Sequence, residues 1–283
     1  MSDKHKQFLL FDELISVNQD KVDFLISSIK LLQIKISRAV KKKHKDLEFE
    51  FDLLGSLRTS TIIVNSKKII DVDFGIYFHN FLNFKDAKQL IYTAVSNEAN
   101  CRVEIRDKHI RLQYADYKVD ITIYYLTNEM IIPRLARYSS WMPSDPKALY
   151  LWFEDVASSN IQIKRIVRYF KFWACQCLIK MPSGITFSVW VSKYICFNDR
   201  DDICFHETAK AILLKLKTGV YCRNPVKPHD NLVANLQPRQ KRNFINKLEL
   251  FVEQSGNAIK ETNEKKSSDI WATQLGDVFL RII

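Results

Sequence analysis

Glycine and proline are scarce, 6 and 7 among 283 residues. Scarcity of both argues against collagen-like repeats, low-complexity linkers and long disordered tracts. No period recurs along the chain, which argues against a solenoid. No run of about 18 apolar residues is present, so no membrane span is expected. The stretch Met1-Ser2-Asp3-Lys4-His5-Lys6 is polar and leads into no long apolar segment, so no secretory leader is expected either. The cysteines, at 101, 175, 177, 196, 204 and 222, form no CxxC pair and no even framework. They read as reduced, mostly buried thiols, which points to the cytosol. Cys196, Cys204, His206 and Cys222 have the chemistry of zinc ligands, but their spacing matches no ribbon or finger. No Ser-His-Asp, Cys-His or Walker pattern stands out.

What is present is a soluble, globular composition: 47% hydrophobic and 27% charged residues, in a chain long enough for one large domain or two fused lobes. The net charge of +11 favours anionic partners such as nucleotides, nucleic acids or an acidic membrane surface.

Val22, Leu25, Ile26, Ile29, Leu32 and Ile36 give a helical stripe, predicting a long helix from about Asp20 to Lys43. Lys41-Lys42-Lys43-His44-Lys45 then complements the dipole at its C-terminus. Leu47 to Phe51 alternates apolar and acidic residues, as a half-buried strand does. Gly55-Ser56 and Asn65-Ser66-Lys67-Lys68 read as turns, Ile69–Phe78 as a strand and Phe84–Val95 as a helix. Arg102–Arg106 and His109–Tyr114 read as a hairpin about Asp107-Lys108, and Lys118–Leu126 as a further strand. Beyond about residue 130 the pattern becomes helical. Ser144-Asp145-Pro146 is a helix start with Ser144 at the cap, followed by helices near 146–157, 160–179, 185–197, 202–216, 239–254 and 268–280. The segment from Asn224-Pro225 to Pro228 interrupts this half.

Asp71-Val72-Asp73-Phe74 carries the most chemical information. Side chains alternate along a strand, so Asp71 and Asp73 share a face while Val72 and Phe74 enter the core. Two neighbouring carboxylates repel, and burial raises the cost; a cation between them removes it. Mg²⁺ takes oxygen ligands, commonly one or two carboxylates plus substrate phosphates. Asp120, in Tyr117-Lys118-Val119-Asp120-Ile121-Thr122-Ile123, shares its face with Thr122 and Tyr124. If its strand lies beside that of Asp71, three carboxylates converge. Three suffice for two divalent ions, Mg²⁺ or Mn²⁺, that clamp the attacking and leaving oxygens of an in-line displacement. Gly55-Ser56 suits close backbone approach to a phosphate, with the Ser hydroxyl as an added donor, and Arg58 and Thr59 extend the phosphate contacts. Tyr124 is a core aromatic or a contact for a base or ribose.

The order Gly-Ser, Asp-x-Asp on a strand, then a later strand Asp resembles the DNA polymerase beta-like nucleotidyltransferase superfamily. Within it, Gly55-Ser56-Leu57-Arg58-Thr59-Ser60-Thr61 and Asp71-Val72-Asp73-Phe74-Gly75-Ile76-Tyr77-Phe78 are similar to the bacterial cyclic GMP-AMP synthase-like enzymes, the CD-NTases, which make cyclic oligonucleotide signals in anti-phage defence. Tyr117-Lys118-Val119-Asp120, Trp141 to Pro146, Arg165 to Trp173, Asn224-Pro225, Asp230-Asn231-Leu232 and Trp271 continue the likeness over nearly the whole chain. Ser60 departs from it, standing where such enzymes often carry Gly.

The resemblance implies an α+β, two-lobed fold, with a mixed-sheet nucleotidyltransferase lobe and long N-terminal helix over 1–140 and a helical lobe over 141–283. It implies that Lys171, on the basic face Lys164/Arg168/Lys171 of the Ile161–Ile179 helix, contacts the triphosphate. Ser183, at the start of the next helix, is implied at the donor nucleotide; a helix N-terminus also suits an anion. The activity implied is cytoplasmic synthesis of a cyclic oligonucleotide second messenger from nucleoside triphosphates with release of pyrophosphate. Its partners are those triphosphates, a nucleic-acid or protein activator, and a downstream effector that responds to the product. The rival readings are a transferase acting on an RNA end or a protein, and a catalytically silent nucleic-acid-binding module.

Overall fold

The computed structural model describes residues 1–64, 69–79, 83–126, 132–137 and 140–282. The polar turn expected at Asn65–Lys68 lies outside them. The chain forms two compact units. One comprises Asn18–Ile62 and Lys67–Tyr150; the other comprises Met1–Val17, Ile63–Ser66 and Leu151–Ile283.

The first unit is built on a seven-stranded mixed sheet. Its strands are β1 (Phe49–Leu54), β2 (Ile70–Phe78), β3 (Arg102–Ile105), β4 (His109–Gln113), β5 (Tyr117–Tyr125), β6 (Arg134–Arg137) and β7 (Ser140–Pro143), in the order β1-β2-β5-β4-β3, with β6 joining β5 to β7. β2 and β5 pair in parallel, and every other pairing is antiparallel. On one face Val72, Phe74, Ile76, Phe78, Val119, Ile121 and Ile123 are buried to 1% exposure or less. Phe24, on the long helix α2 (Gln19–Lys43), meets Tyr117 edge to face at 5.8 Å on this side. Asn18 caps α2, its side chain accepting from Lys21 N at 2.9 Å, and Lys41, Lys42 and Lys43 occupy its last turn. Leu25, Ile29, Leu32, Ile36 and Val40 are its buried stripe. The helix α4 (Phe84–Val95) packs against α2, and one short turn, α3 (Gly55–Arg58), follows β1.

The second unit is helical. It takes in α1 (His5–Ile15), α6 (Gln162–Gln176), α7 (Gly184–Tyr194), α8 (Asp201–Leu216), α9 (Pro238–Lys260) and α10 (Glu264–Leu275). The division between units falls within α5 (Pro146–Ser158). The core is strongly aromatic: Phe8, Phe11, Tyr169, Phe170, Trp173, Phe187, Trp190, Phe205, Phe251 and Trp271 are all at 1% exposure or less. Such rings bury large areas and prefer edge-on or offset contacts. Phe8 meets Tyr169 and Trp271 edge to face at 5.2 and 4.9 Å, which draws α1 into this core.

Several expectations shift. The cap of α5 is Asp145, whose Oδ1 accepts from Ala148 N at 2.9 Å, not Ser144. The helix bearing Lys171 stops at Gln176 because Cys177 takes extended backbone. Two members of the basic face Lys164/Arg168/Lys171 are engaged in ion pairs. Arg168 is 9% exposed and forks onto Asp12 of α1, and Lys164 pairs with Glu154. Neither α1 nor the β6–β7 hairpin was foreseen.

Candidate active site

The parallel register of β2 and β5 sets Asp73 directly opposite Asp120 and Asp71 opposite Lys118. Neighbours in register project to the same side of a sheet. Asp71, Asp73 and Asp120 therefore lie together on the face away from Val72 and Val119, as their spacing predicted.

Gly55 follows the residue that pairs with Asp73, since Leu54 is its partner in β1. Its φ of +64° lies in the left-handed region, and a Cβ there would collide with the Asp73 Oδ2 carboxylate oxygen. Only glycine fits both constraints. The turn beyond is tied down by Thr59, whose hydroxyl is 2.9 Å from that of Thr61, and by Thr61 N donating to Ser56 O at 2.9 Å. Ser60 holds a φ of +53°. That conformation suits glycine and costs a serine about 1–2 kcal/mol. Ser56 is half-buried in this turn, and Arg58 at its end lies over the Tyr150 ring at 4.6 Å.

The carboxylates are held by cationic neighbours that the sequence reading missed. Arg111 on β4 forks onto Asp120, Nε to Oδ1 at 2.8 Å and a terminal nitrogen to Oδ2 at 2.6 Å. The bonds to Asp120 raise the Arg111 pKa above its usual value. His109 Nε2 lies 3.3 Å from Asp120 Oδ2, near enough to feel its charge but not aligned for a hydrogen bond. Burial lowers the His109 pKa, and the Asp120 charge offsets this only in part. Lys118 Nζ reaches Asp71 Oδ1 at 3.0 Å. A signal for Arg111 was there. The two-residue turn Ala115-Asp116 between β4 and β5 forces 111 opposite 120, and His109-x-Arg111-x-Gln113 puts polar side chains on one face.

Tyr124 is a floor of this face rather than an open contact. It is 4% exposed, stacks on Tyr77 with ring centres 4.6 Å apart, and clusters with Leu54 and Leu135. Gly75 makes room for the stack, because a Cβ there would press on both rings at 3.0–3.1 Å. Burial, reinforced by nearby acidic groups, raises both phenols far above their usual range, so both stay neutral.

The donor set fits a hard cation: three carboxylates on one face, with oxygen as the only ligand atom. The cage is not preformed. Among the described residues no three His, Cys, Asp or Glu side chains converge as metal ligands. Arg111 and Lys118 balance the charge that a cation would otherwise balance.

In the helical unit, Lys171 of α6 lies against the start of α7. A Cβ on Gly184 would come within 3.0 Å of Lys171 Cε and 3.7 Å of its Nζ. Ser183 is the N-cap residue of α7, but its hydroxyl bonds Thr186 Oγ1 at 2.9 Å and caps no backbone N–H. A lysine beside an uncapped helix N-terminus suits an anion. Two of the expected substrate contacts are thus brought together. Cys204 and Cys222 are buried thiols, each pushed by burial to a pKa of about 12.

No family model matches the chain. Among curated proteins it is similar to a cyclic GMP-AMP synthase of Escherichia albertii, 29% identical over 239 residues, covering 72% of this chain and 53% of that protein. It is also similar to a cyclic AMP-AMP-AMP synthase of an Acinetobacter species, 23% identical over 231 residues, covering 75% and 65%. The chain spans about half and about two-thirds of the lengths of these relatives. In fold it matches the Vibrio cholerae DncV cyclic AMP-GMP synthase with a TM-score of 0.85, at 15% identity over 98% of this chain and 97% of that one. Escherichia coli DncV, in its 3'-deoxy GTP bound form, matches with a TM-score of 0.80 at 13% identity, over 95% and 94%. The fold is therefore the two-lobed, α+β polymerase beta-like nucleotidyltransferase fold. In sequence the chain resembles the bacterial cyclic GMP-AMP synthase-like enzymes, as its motifs indicated. Among the described residues no helix is long and apolar enough to cross a membrane.

Proposed function

We propose that the protein is a metal-dependent nucleotidyltransferase that joins nucleoside triphosphates into a cyclic oligonucleotide, releasing pyrophosphate. The observation that carries this is the β2–β5 register, which sets Asp71, Asp73 and Asp120 on one face beside the Gly55–Ser56 turn. The named activities of the similar proteins, synthesis of cyclic GMP-AMP and of cyclic AMP-AMP-AMP, support it. So does DncV, which has been seen with a linear pppA(3',5')pG intermediate.

In this reading Asp71, Asp73 and Asp120 hold two divalent ions, Mg²⁺ or Mn²⁺. When bound, such ions acidify an attacking hydroxyl and neutralise a leaving pyrophosphate. Asp71 and Asp73 hold the triphosphate's ion, and Asp120 serves the attacking ribose hydroxyl. The Gly55–Ser56 turn lets backbone approach the phosphates, and Arg58, Lys171 and Ser183 add phosphate contacts. Two or more transfers, the last intramolecular, close the ring. The setting is cytoplasmic, in a bacterial anti-phage signal that a downstream effector reads, with a nucleic-acid or protein activator upstream.

The test is incubation with four labelled triphosphates and Mg²⁺ or Mn²⁺, with products identified by mass spectrometry. A small phosphatase-resistant species is expected. Asp71→Ala combined with Asp73→Ala should abolish it while the protein stays folded; near wild-type turnover would overturn the assignment. The net charge of +11 favours a second reading with an RNA acceptor, in which label would stay on a macromolecule.

A further inference from the structure

We infer that Arg111 is a lock on the second cation position, which opens only when a triphosphate draws the guanidinium away. This rests on the carboxylate reading given above and adds an order of loading to it.

The two ion pairs on this face differ in kind. Lys118 touches one oxygen of Asp71, a carboxylate whose side chain is 57% exposed. A single contact in open solvent is worth little and yields to a divalent ion. Arg111 instead occupies both oxygens of Asp120, whose side chain is 12% exposed. Bidentate, charge-assisted bonds of this geometry are among the strong ones. An ion approaching Asp120 meets a carboxylate already neutralised and a fixed positive charge beside it. Asp73 is the register neighbour of Asp120, so the lock acts at the point where the two ion positions meet.

A triphosphate changes that balance. Its oxygens offer a guanidinium the same planar pairing that a carboxylate offers. Once Arg111 turns to phosphate, Asp120 loses both of its guanidinium bonds and keeps only His109 Nε2 beside it, 3.3 Å from Oδ2. The first ion then loads on Asp71 and Asp73 without nucleotide, and the second loads only with it. Arg111 is a positioning residue in this scheme, acting through Asp120.

The experiment counts Mn²⁺ bound to the nucleotide-free protein, by calorimetry and by the paramagnetic signal of free Mn²⁺. Wild type should bind one ion. Arg111→Gln should bind a second at least tenfold more tightly than wild type does, and Arg111→Gln with Asp120→Asn should return to one. A general gain in field would also tighten the first ion and survive the Asp120 change, and that result overturns the lock. So does a wild type that binds two ions of similar affinity, or an Arg111→Gln protein that still binds one. Should Arg111→Gln fail to fold by circular dichroism, Arg111→Lys carries the test. One ammonium does not span both oxygens, so its second ion should bind severalfold more tightly than in wild type, and an unchanged ion count overturns the lock. An ion retained by Asp71→Ala with Asp73→Ala overturns the carboxylate reading itself, and the lock with it.

Discussion

Both units contain arginine forks on carboxylates, and Arg165 on Asp201 and Arg111 on Asp120 do different things. In the helical unit Arg165 grips Asp201 at 2.6 and 2.9 Å, Gln162 Nε2 donates at 2.7 Å and Tyr169 OH at 2.9 Å, with Asp201 at 0% exposure. Burial alone would raise the Asp201 pKa, but the bonds from Arg165, Gln162 and Tyr169 outweigh it and hold the carboxyl below its ordinary value. In the sheet unit Asp120 has Arg111 as its fork, keeps some exposure and lies in register with a second carboxylate. A carboxylate whose lone pairs are all engaged inside a core is a structural tie. One hydrogen-bonded by a single arginine, with His109 and a second carboxylate beside it, is available for exchange.

Asn substitutions separate the two most sharply. Asp201→Asn leaves Arg165 with an uncompensated charge at the core and should cost about 3–5 kcal/mol in urea unfolding. Turnover per folded molecule should hardly change. A loss under about 1 kcal/mol would mean that the tie is ornamental. Asp120→Asn should do the reverse. Stability should move by about 1 kcal/mol or less, because Asn keeps one acceptor for Arg111 and relieves repulsion with Asp73. Single-turnover product formation should fall by at least about two orders of magnitude, roughly 3 kcal/mol of barrier. Metal-dependent triphosphate binding, measured by calorimetry, should persist. Equal loss of binding and turnover would make Asp120 part of one shared two-ion site.

The contrast also explains what could be read from the chain. The shared face of Asp71 and Asp73, and of Asp120 with Thr122, was legible because strand alternation is strictly local and each lies on a run of β-branched or aromatic residues. The long stripe of α2 and the limits of α4 were legible for the same kind of reason, a period sustained over several turns. Asp201 and Arg165 were not, because nothing local tells a buried charge from a solvated one. Their partners lie 36 residues apart in sequence. The Arg168 pairing with Asp12 spans 156 residues, and with it the place of α1 in the helical core was hidden. The β6 and β7 strands are four residues each and carry Arg134, Arg137 and Ser140, too short and too polar for a period-2 signal. Arg111 is the intermediate case, recoverable only by carrying the Ala115-Asp116 turn through to its register.

Lys171 tests whether a charge in the helical unit serves a ligand as the sheet face does. It is half-buried against Gly184, and Arg168 on the same face forks onto Asp12. Lys171→Ala should raise KM for triphosphate roughly tenfold, about 1.4 kcal/mol, with kcat nearly unchanged, the mark of binding that is equal in ground and transition states. Arg168→Ala should instead lower stability and leave KM alone. If the two variants behave alike, the basic face of α6 is structural throughout.

The smallest effect compares the two units by pH. His206 on α8 bonds Ser255 at 2.7 Å through Nδ1 and lies against Gly256, while His109 lies beside Asp120 and Arg111. Burial lowers both pKa values. Glu207 raises that of His206 in part, with Lys210 and Lys260 opposing; Asp120 raises that of His109 in part, with Arg111, Arg106 and Lys108 opposing. An unfolded histidine titrates near about 6.5. Above about pH 7 both states are neutral and these groups contribute nothing. As pH falls below about 6.5 the unfolded chain gains protons that the folded chain refuses, so stability declines until the lowered folded pKa is passed. Asp201 acts in the same sense, because its folded pKa is also depressed, but in a separate window below about pH 4. Urea unfolding at pH 7.5 and pH 5.5 should therefore show a loss in wild type that shrinks in His206→Gln, which can keep the bond to Ser255, and shrinks again with His109→Gln added. If only the His109 change flattens the profile, the acid sensitivity belongs to the charged sheet face and not to burial in the helical core.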